Sequence, residues 1–508
     1  MSRIPTCSSS FFINPITPLE LHTAIMNLKN KNCLDVYNMN SKLLKFISET
    51  VCHPLSVVFN KCIEEGIFPR MLKVSKVVPL HKGGSRDDEC NYRPIAICPI
   101  IGKVFESILK GRIVQFLSKN KILSSLQFGF REGHSTTDAV LRVLEDVVEG
   151  IDLGCRTGVA LCDLSRAFDC VSRDILIQKL SIYGFRGIGL KLLASYLSER
   201  TQYVSLDNRR STILRQVHGV PQGSILGPVL FLLYVNDLPD YVTNASTLLF
   251  ADDTTIYTSH SKIEDVRTNL DVAVQQASIW FALNKMTLNT NKTQTITISL
   301  DKTILTDNPV TLLGIKIDQR LTWAGQIDQV CSRASSGLYA LKRLIGLIGE
   351  DVLRMAYFSL VHSHLTYGIL LWGRSADFDR AFIMQKRSMR VLMGRGPREH
   401  CRPLFKQLIL SLPSDYIYVT CLHIKKLERS LRVQADVHSY NTRGSNLLLI
   451  TASRTCASEK NKINLKIYNH LPNKLKLLTF NFKAQLKKFL LAYQFYSVEE
   501  YYHTKFID

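Results

Sequence analysis

Apolar residues recur at helical spacing near the start of the chain. Leu21, Ile25 and Leu28 share a face after Thr17, a side chain suited to cap a helix, and Pro18, suited to its first position. A second apolar-periodic stretch runs from Leu43 through Val58 to Ile63, so residues 11–70 are expected to be helical. The period then changes. Lys76-Val77-Val78-Pro79-Leu80 reads as a strand ending in His81-Lys82-Gly83-Gly84, and an acidic polar loop (Ser85 to Cys90) follows. Tyr92-Arg93-Pro94-Ile95 starts another extended segment, leading into a helix around Val104, Ile108 and Ile113. From Thr157 to Ile317 strands and helices alternate. Leu190, Leu193, Ala194 and Leu197 fill one helical face, and Tyr203 to Val217 reads as a hairpin through Asp207-Asn208. Beyond Ile317 the pattern is helical again. Val330, Ala334, Leu338, Leu341, Ile345 and Ile348 form a stripe, with Lys342 and Arg343 off it. The tail (Tyr468-Asn469-His470-Leu471-Pro472 and Phe482 to Leu491) is basic and amphipathic.

At 508 residues with 46% apolar side chains, the chain is long enough for two to four domains with sizeable cores. The apolar run from Pro228 to Val235 is far too short to span a bilayer, so no membrane partner is expected. Met1 to Ser10 lacks the apolar core of a secretory signal. Thirteen cysteines with no CxxC pair read as reduced thiols, which predicts an intracellular protein, nucleus and cytoplasm not distinguished. The formal charge of +21 is uneven: residues 319–508 carry +16 and residues 1–318 carry +5. A basic third beside a carboxylate-bearing core suits an enzyme that handles polyanions.

The chemistry is concentrated in Phe250-Ala251-Asp252-Asp253. Between the lead-in Thr247-Leu248-Leu249 and the β-prone exit Thr254-Thr255-Ile256-Tyr257, this reads as a hairpin whose tight turn carries two adjacent carboxylates. Like charges side by side repel unless a cation neutralises them. Hard oxygen ligands suit Mg²⁺. A third carboxylate, Asp163, ends the β-like run Gly158 to Leu161. Together the three point to a two-metal site for moving a phosphoryl group.

Asp163-Leu164-Ser165-Arg166-Ala167-Phe168-Asp169, then Gly219-Val220-Pro221-Gln222-Gly223-Ser224-Ile225-Leu226-Gly227-Pro228, then Phe250-Ala251-Asp252-Asp253 resemble the palm motifs of reverse transcriptases. The match is closest to the polymerases of non-LTR, LINE-type retrotransposons of the jockey-like kind; it covers about residues 12–500 and is strongest from Val77 to Asp318. The resemblance implies an α+β right-hand polymerase, with fingers, a palm built on an antiparallel sheet, a helical thumb and a mainly helical basic C-terminal region. The corresponding boundaries are 1–60 for an N-terminal helical extension, 61–318 for fingers and palm, 319–430 for a thumb-like region and 431–508 for the basic tail. It implies RNA-directed DNA synthesis from an RNA template, a DNA primer and dNTPs, with two Mg²⁺ ions held by Asp163 and Asp252, Asp253 supporting, and the Leu164 carbonyl available as a further ligand.

Other roles follow from the same motif order. Phe168 would lie under the sugar and collide with a 2′-hydroxyl, or else simply pack the next helix. Gln222 and Gly223 would lie near the incoming nucleotide, in a loop whose glycines and prolines allow close backbone approach. Lys82 and Arg93 match cationic positions for the triphosphate. Arg131, in Gln127-Phe128-Gly129-Phe130-Arg131, would contact template or triphosphate. Lys292 matches a lysine that protonates the leaving pyrophosphate. His362 and His364 lack further ligands nearby and read as packing residues. The motif departs from the family near residue 32, where Asn32-Cys33-Leu34-Asp35 replaces a Ser/Pro-Gly string while keeping Asp35. The chain also begins too close to the fingers to hold the family's upstream endonuclease domain, and no ribonuclease H set follows the thumb, so a truncated or partial element product that keeps its polymerase is expected. Two alternatives remain: a catalytically silent nucleic-acid-binding remnant, and an intron-maturase-like reverse transcriptase.

Overall fold

The computed structural model describes residues 6–206, 209–301, 303–304, 308–436, 447–450 and 464–506. The chain divides into two compact units, one of Met1–Ser135, Ala160–Tyr257 and Thr268–Thr293, the other of Thr136–Val159, Thr258–Arg267 and Gln294–Asp508.

In the first unit the N-terminal helices form as their side chains dictate. Thr17 Oγ1 accepts from Glu20 N at 3.1 Å, Pro18 opens the helix Pro18–Met26, and Leu21 and Ile25 are fully buried. The helices Ser41–Phe46 and Ser48–Glu65 follow. Here the expected face is shifted: Leu43 and Val58 are exposed, while Leu44, Cys52, Phe59 and Ile63 are buried. Phe59 stacks on Phe105, which stacks on Phe68, and Tyr196 meets Phe68 edge-on, forming an aromatic column through the core. Asp35, kept from the altered motif, is a buried hub. Its Oδ1 accepts from Tyr37 N and Met39 N, and its Oδ2 from Ile100 N at 2.8 Å, at the start of the helix Ile100–Lys119.

Strands β1 (Val74–His81) and β2 (Tyr92–Ile97) pair antiparallel, with Leu80 opposite Arg93, across the acidic loop. β3 (Arg156–Cys162) precedes β4 (Thr201–Leu206), which runs parallel to β1. β4 also pairs with β5 (Arg209–Arg210) and β6 (Leu214–Arg215), as a hairpin reading requires; its turn, Asp207-Asn208, lies outside the described residues. β7 (Ser246–Phe250) and β8 (Asp253–His260) form the expected antiparallel hairpin, and β8 lies between β7 and β3; the turn itself is Ala251-Asp252, and Asp253, expected in the turn, instead opens β8 opposite Phe250. The fold is therefore mixed α and β, with antiparallel strands where the acidic motif sits. The helix Gly227–Val235, apolar but for the Tyr234 hydroxyl, buries every residue except Pro228 and shares a core cluster with Ala160, Leu249 and Ile256 of the strands.

The second unit is mainly helical. The helix Ala324–Leu344 buries Val330, Ala334, Leu338 and Leu341 and packs on Phe378–Leu392. The stripe ends earlier than its periodicity suggests: Ile345 lies past the helix and is exposed, and Gly346 follows in the left-handed region (φ +78°). Lys342 and Arg343 are exposed. His362 packs its ring against Tyr357 and Phe358. In the tail, the helix Phe482–Tyr493 buries Phe482, Leu486 and Leu490. Among the described residues no helix is long and apolar enough to cross a membrane.

Candidate active site

The acidic turn owes its shape to a neighbouring segment. Gln127 is fully buried, and its Oε1 accepts from Ala251 N at 3.1 Å and from Gly129 N at 2.9 Å. Phe128 N donates to Leu249 O, and Leu249 N to Leu126 O, so residues 126–128 run beside β7 like an added strand. Ala251 is held at φ +59°, which makes the tight turn that carries Asp252. Gly129 is obligatory here, because a Cβ on it would stand 2.2 Å from Ala251 N. The Gln-Phe-Gly string thus braces the acidic turn.

Asp163 follows β3 and is tied to a second loop. Its carbonyl accepts from Asn289 N, Ser165 N donates to Thr287 O, and Leu164 bridges Leu288. This brings Lys292 Nζ to 3.2 Å from Asp163 Oδ2, with most of the lysine side chain in solvent. Asp163, Asp252 and Lys292 all line one open cavity of about 1290 Å³. The carboxyl of Asp252 is held above the usual aspartate range, by burial first, with Asp163 adding to the effect and Arg93 opposing it. Asp253 is pushed up to about 6, by desolvation and then by Asp252 and Asp163; its solvent exposure limits the first of these and screens the other two.

The glycine-rich loop packs over the start of the same motif. Gly219 N donates to Val171 O and Val220 N to Phe168 O, and a Cβ on Gly219 would meet Asp169 Cα at 2.8 Å. Ala96 N donates to Gln222 O, and Gly223 (φ +113°) leaves no room for a Cβ against Ala96 O, 2.4 Å away. Beneath the loop, Glu106 is fully buried, and its Oε2 accepts from Ile225 N at 2.7 Å and Leu226 N at 3.1 Å.

The cavity gathers most of the residues expected from the sequence: Lys82 and Arg93, both exposed, with Asp163, Phe168, Gln222, Gly223, Asp252 and Lys292. Phe168 stacks on Phe231 with centroids 4.4 Å apart and meets Phe130 edge-on at 6.1 Å. Two residues stand apart. Asp253 opens β8 beside the cavity without lining it. Arg131 does not line it either; Nη1 of its guanidinium donates to Ser124 O at 2.7 Å and Gln127 O at 2.9 Å, within the brace. Sequence reasoning passed over Arg86 and Arg166, which also line the cavity, and Glu106 and Gln127, which hold its loops. Arg166 sat in the quoted motif and was legible as a cation; Glu106 gave no signal, being one charge on a long helix.

Residues 81–317 match the family model described as reverse transcriptase (RNA-dependent DNA polymerase). That stretch resembles a reverse transcriptase domain. The chain is 28% identical over 407 residues to the probable RNA-directed DNA polymerase from transposon BS of Drosophila melanogaster, covering 75% of this chain and 45% of that protein. It is 25% identical over 459 residues to the RNA-directed DNA polymerase from mobile element jockey of the same species, covering 84% and 50%. It is 27% identical over 407 residues to the probable RNA-directed DNA polymerase from transposon X-element, also of Drosophila melanogaster, covering 75% and 44%. The jockey-like resemblance read from the motifs therefore holds, and the chain spans about half the length of the curated relatives it matches.

The donor chemistry of the site suits a divalent metal. Its acids are hard oxygen donors; Asp252 and Asp253 are both held above the usual aspartate range in part by Asp163, and Asp253 also by Asp252, a cost that a cation removes. As they stand, no three His, Cys, Asp or Glu side chains among the described residues form a group able to enclose an ion. A cation bound here would compete with Lys292 for Asp163.

Proposed function

We propose that the chain is an RNA-directed DNA polymerase of a non-LTR retrotransposon, adding dNTPs to a primer 3′-end on an RNA template. The observation that carries this reading is the single cavity shared by Asp163, Asp252, Phe168, Gln222, Lys292 and the cations Lys82 and Arg93. In this reading Asp163 and Asp252, with Asp253 in support, hold two Mg²⁺ ions. Bound Mg²⁺ supplies activation of the primer hydroxyl and stabilisation of the leaving pyrophosphate. Arg93 and Lys82 grip the triphosphate, the arginine able to do so bidentately. Phe168, stiffened by Phe231, forms the floor under the sugar and excludes a 2′-hydroxyl. Lys292, once released from Asp163, gives its proton to the departing pyrophosphate. The first unit supplies fingers and palm. The basic helices that follow supply a thumb that tracks duplex backbone by charge, largely without sequence preference.

Purified protein with an RNA template, an annealed DNA primer, dNTPs and Mg²⁺ tests the proposal. Wild type should extend the primer, and Asp252→Asn should abolish extension while primer–template affinity stays within about twofold, since that affinity is carried by backbone charge contacts. Template binding without any dNTP incorporation by wild type would instead identify a silent binding remnant.

A further inference from the structure

We propose that Asp169 is a positioning residue: it fixes the Gln222 amide so that the carbonyl oxygen, not the NH₂ group, is offered to a nucleotide in the cavity. The inference rests on the polymerase reading above and adds to it a polarity that the motif alone does not give. Gln222 Nε2 donates to Asp169 Oδ2 at 2.9 Å. An ionised carboxylate can only accept, so the amide nitrogen must face it and Oε1 must face elsewhere. The backbone cannot undo this choice. Gln222 O is taken by Ala96 N, and Gly223 lies against Ala96 O at a distance that would not admit a Cβ. Asp169 is equally constrained, with its N–H on Arg166 O and Gly219 packed on its Cα.

The pair borders two spaces. Asp169 and Gln222 line the large cavity, and both also line a smaller one of about 270 Å³ with Gln202, Gln216 and His218. Without the carboxylate, the glutamine side chain is free to turn towards that second polar space and leave the nucleotide. The polarity also selects which end of a nucleotide it meets. A triphosphate presents acceptors only; the donors of a deoxynucleotide are its sugar hydroxyl and the N–H groups of its base. An acceptor from Gln222 therefore reads the sugar–base end, leaving the phosphates to Lys82 and Arg93.

A double-mutant cycle tests this, using dNTP binding to the protein on a primer–template whose primer is chain-terminated, and extension rates on an ordinary primer. D169A should weaken dNTP binding by about tenfold, the loss of one charge-assisted hydrogen bond, while the maximal extension rate and primer–template affinity change little. In the Q222A background D169A should add less than about twofold, because Asp169 acts only through the missing amide. D169N, which keeps an acceptor oxygen in the same position, should recover most of the affinity. An equal loss in both backgrounds would overturn the proposal and make Asp169 a general brace. Wild type that binds dNTP without extending would sink the polymerase reading and leave this cycle readable; wild type that binds no dNTP would overturn both.

Discussion

Glu106 offers the sharpest test of how the nucleotide-side loop is held. Its Oε2 accepts the Ile225 and Leu226 amides, its Oε1 has no partner, and the residue is completely buried. Glu106→Ala orphans two buried N–H groups at roughly 1–3 kcal/mol each. Relief from burying the charge offsets part of that, so a net loss of about 2–4 kcal/mol is expected. Glu106→Gln keeps an acceptor for both amides and removes the charge, so it should fall within about 1 kcal/mol of wild type. Burial lifts the Glu106 carboxyl above its ordinary 4.5, with Arg200 and the two amides pulling it back. Below 4.5 both folded and unfolded chains are protonated and no penalty exists. As pH rises from there, the unfolded chain ionises first, so wild-type stability declines relative to E106Q until the folded carboxyl has also ionised. Urea unfolding of the three proteins across that range, followed by tryptophan fluorescence, measures both effects. E106A within about 0.5 kcal/mol of wild type, or E106Q as damaging as E106A, would refute the account, since either falls outside the cost of orphaned amides.

Phe168→Ala should relax discrimination against ribonucleotides by about tenfold or more, the range a removed steric clash of 1–3 kcal/mol allows. Competition between dNTP and rNTP in primer extension reads it, and unchanged selectivity would remove the case for a gate. Gly129→Ala forces a Cβ into Ala251 N and should displace the acidic turn, lowering extension sharply while primer–template binding persists; extension at the wild-type rate would show that the brace does not set the turn.

Local signals were legible where one segment carries its own instructions. Thr17 and Pro18 announced a helix start that the structure repeats atom for atom, and the run around Asp252 announced a hairpin because both flanks are β-prone and the turn lies between them. What stayed hidden was set by distant partners. Glu106 lies 119 residues from the amide it caps, and Gln127 lies 124 residues from Ala251. In their own helix or loop each is an unremarkable polar residue. Val58 fits an apolar period yet is exposed, because the face that packs is chosen by the aromatic column of Phe59, Phe105 and Phe68. Arg131 looked like a ligand contact because it carries charge beside a motif, and three-dimensional placement spends that charge on two carbonyls.

The same long-range bracing places Asp163 and Asp252 on one cavity. Gln127 fixes the Asp252 turn, and the 287–289 segment fixes the backbone at Asp163, so both carboxylates face one cavity; among the described residues Lys292 is the cation within ion-pair distance of Asp163. A divalent ion that binds this arrangement and not the unfolded chain must raise stability, by about 2.7 kcal/mol at one hundred times its dissociation constant. Thermal unfolding should therefore shift upward with Mg²⁺ in wild type, and chelation should reverse the shift. Asp252→Asn and Asp163→Asn each remove one donor and should lose most of it; Asp252→Asn also lacks part of the like-charge cost and should start from equal or higher stability in the metal-free state, whereas Asp163→Asn gives up the Lys292 ion pair as well. The inversion in Asp252→Asn, more stable without metal and less responsive to it, is what distinguishes a metal site from a structural acid cluster. A Mg²⁺ shift of wild-type size in both variants would mean that the ion binds elsewhere, and the three aspartates would need another explanation.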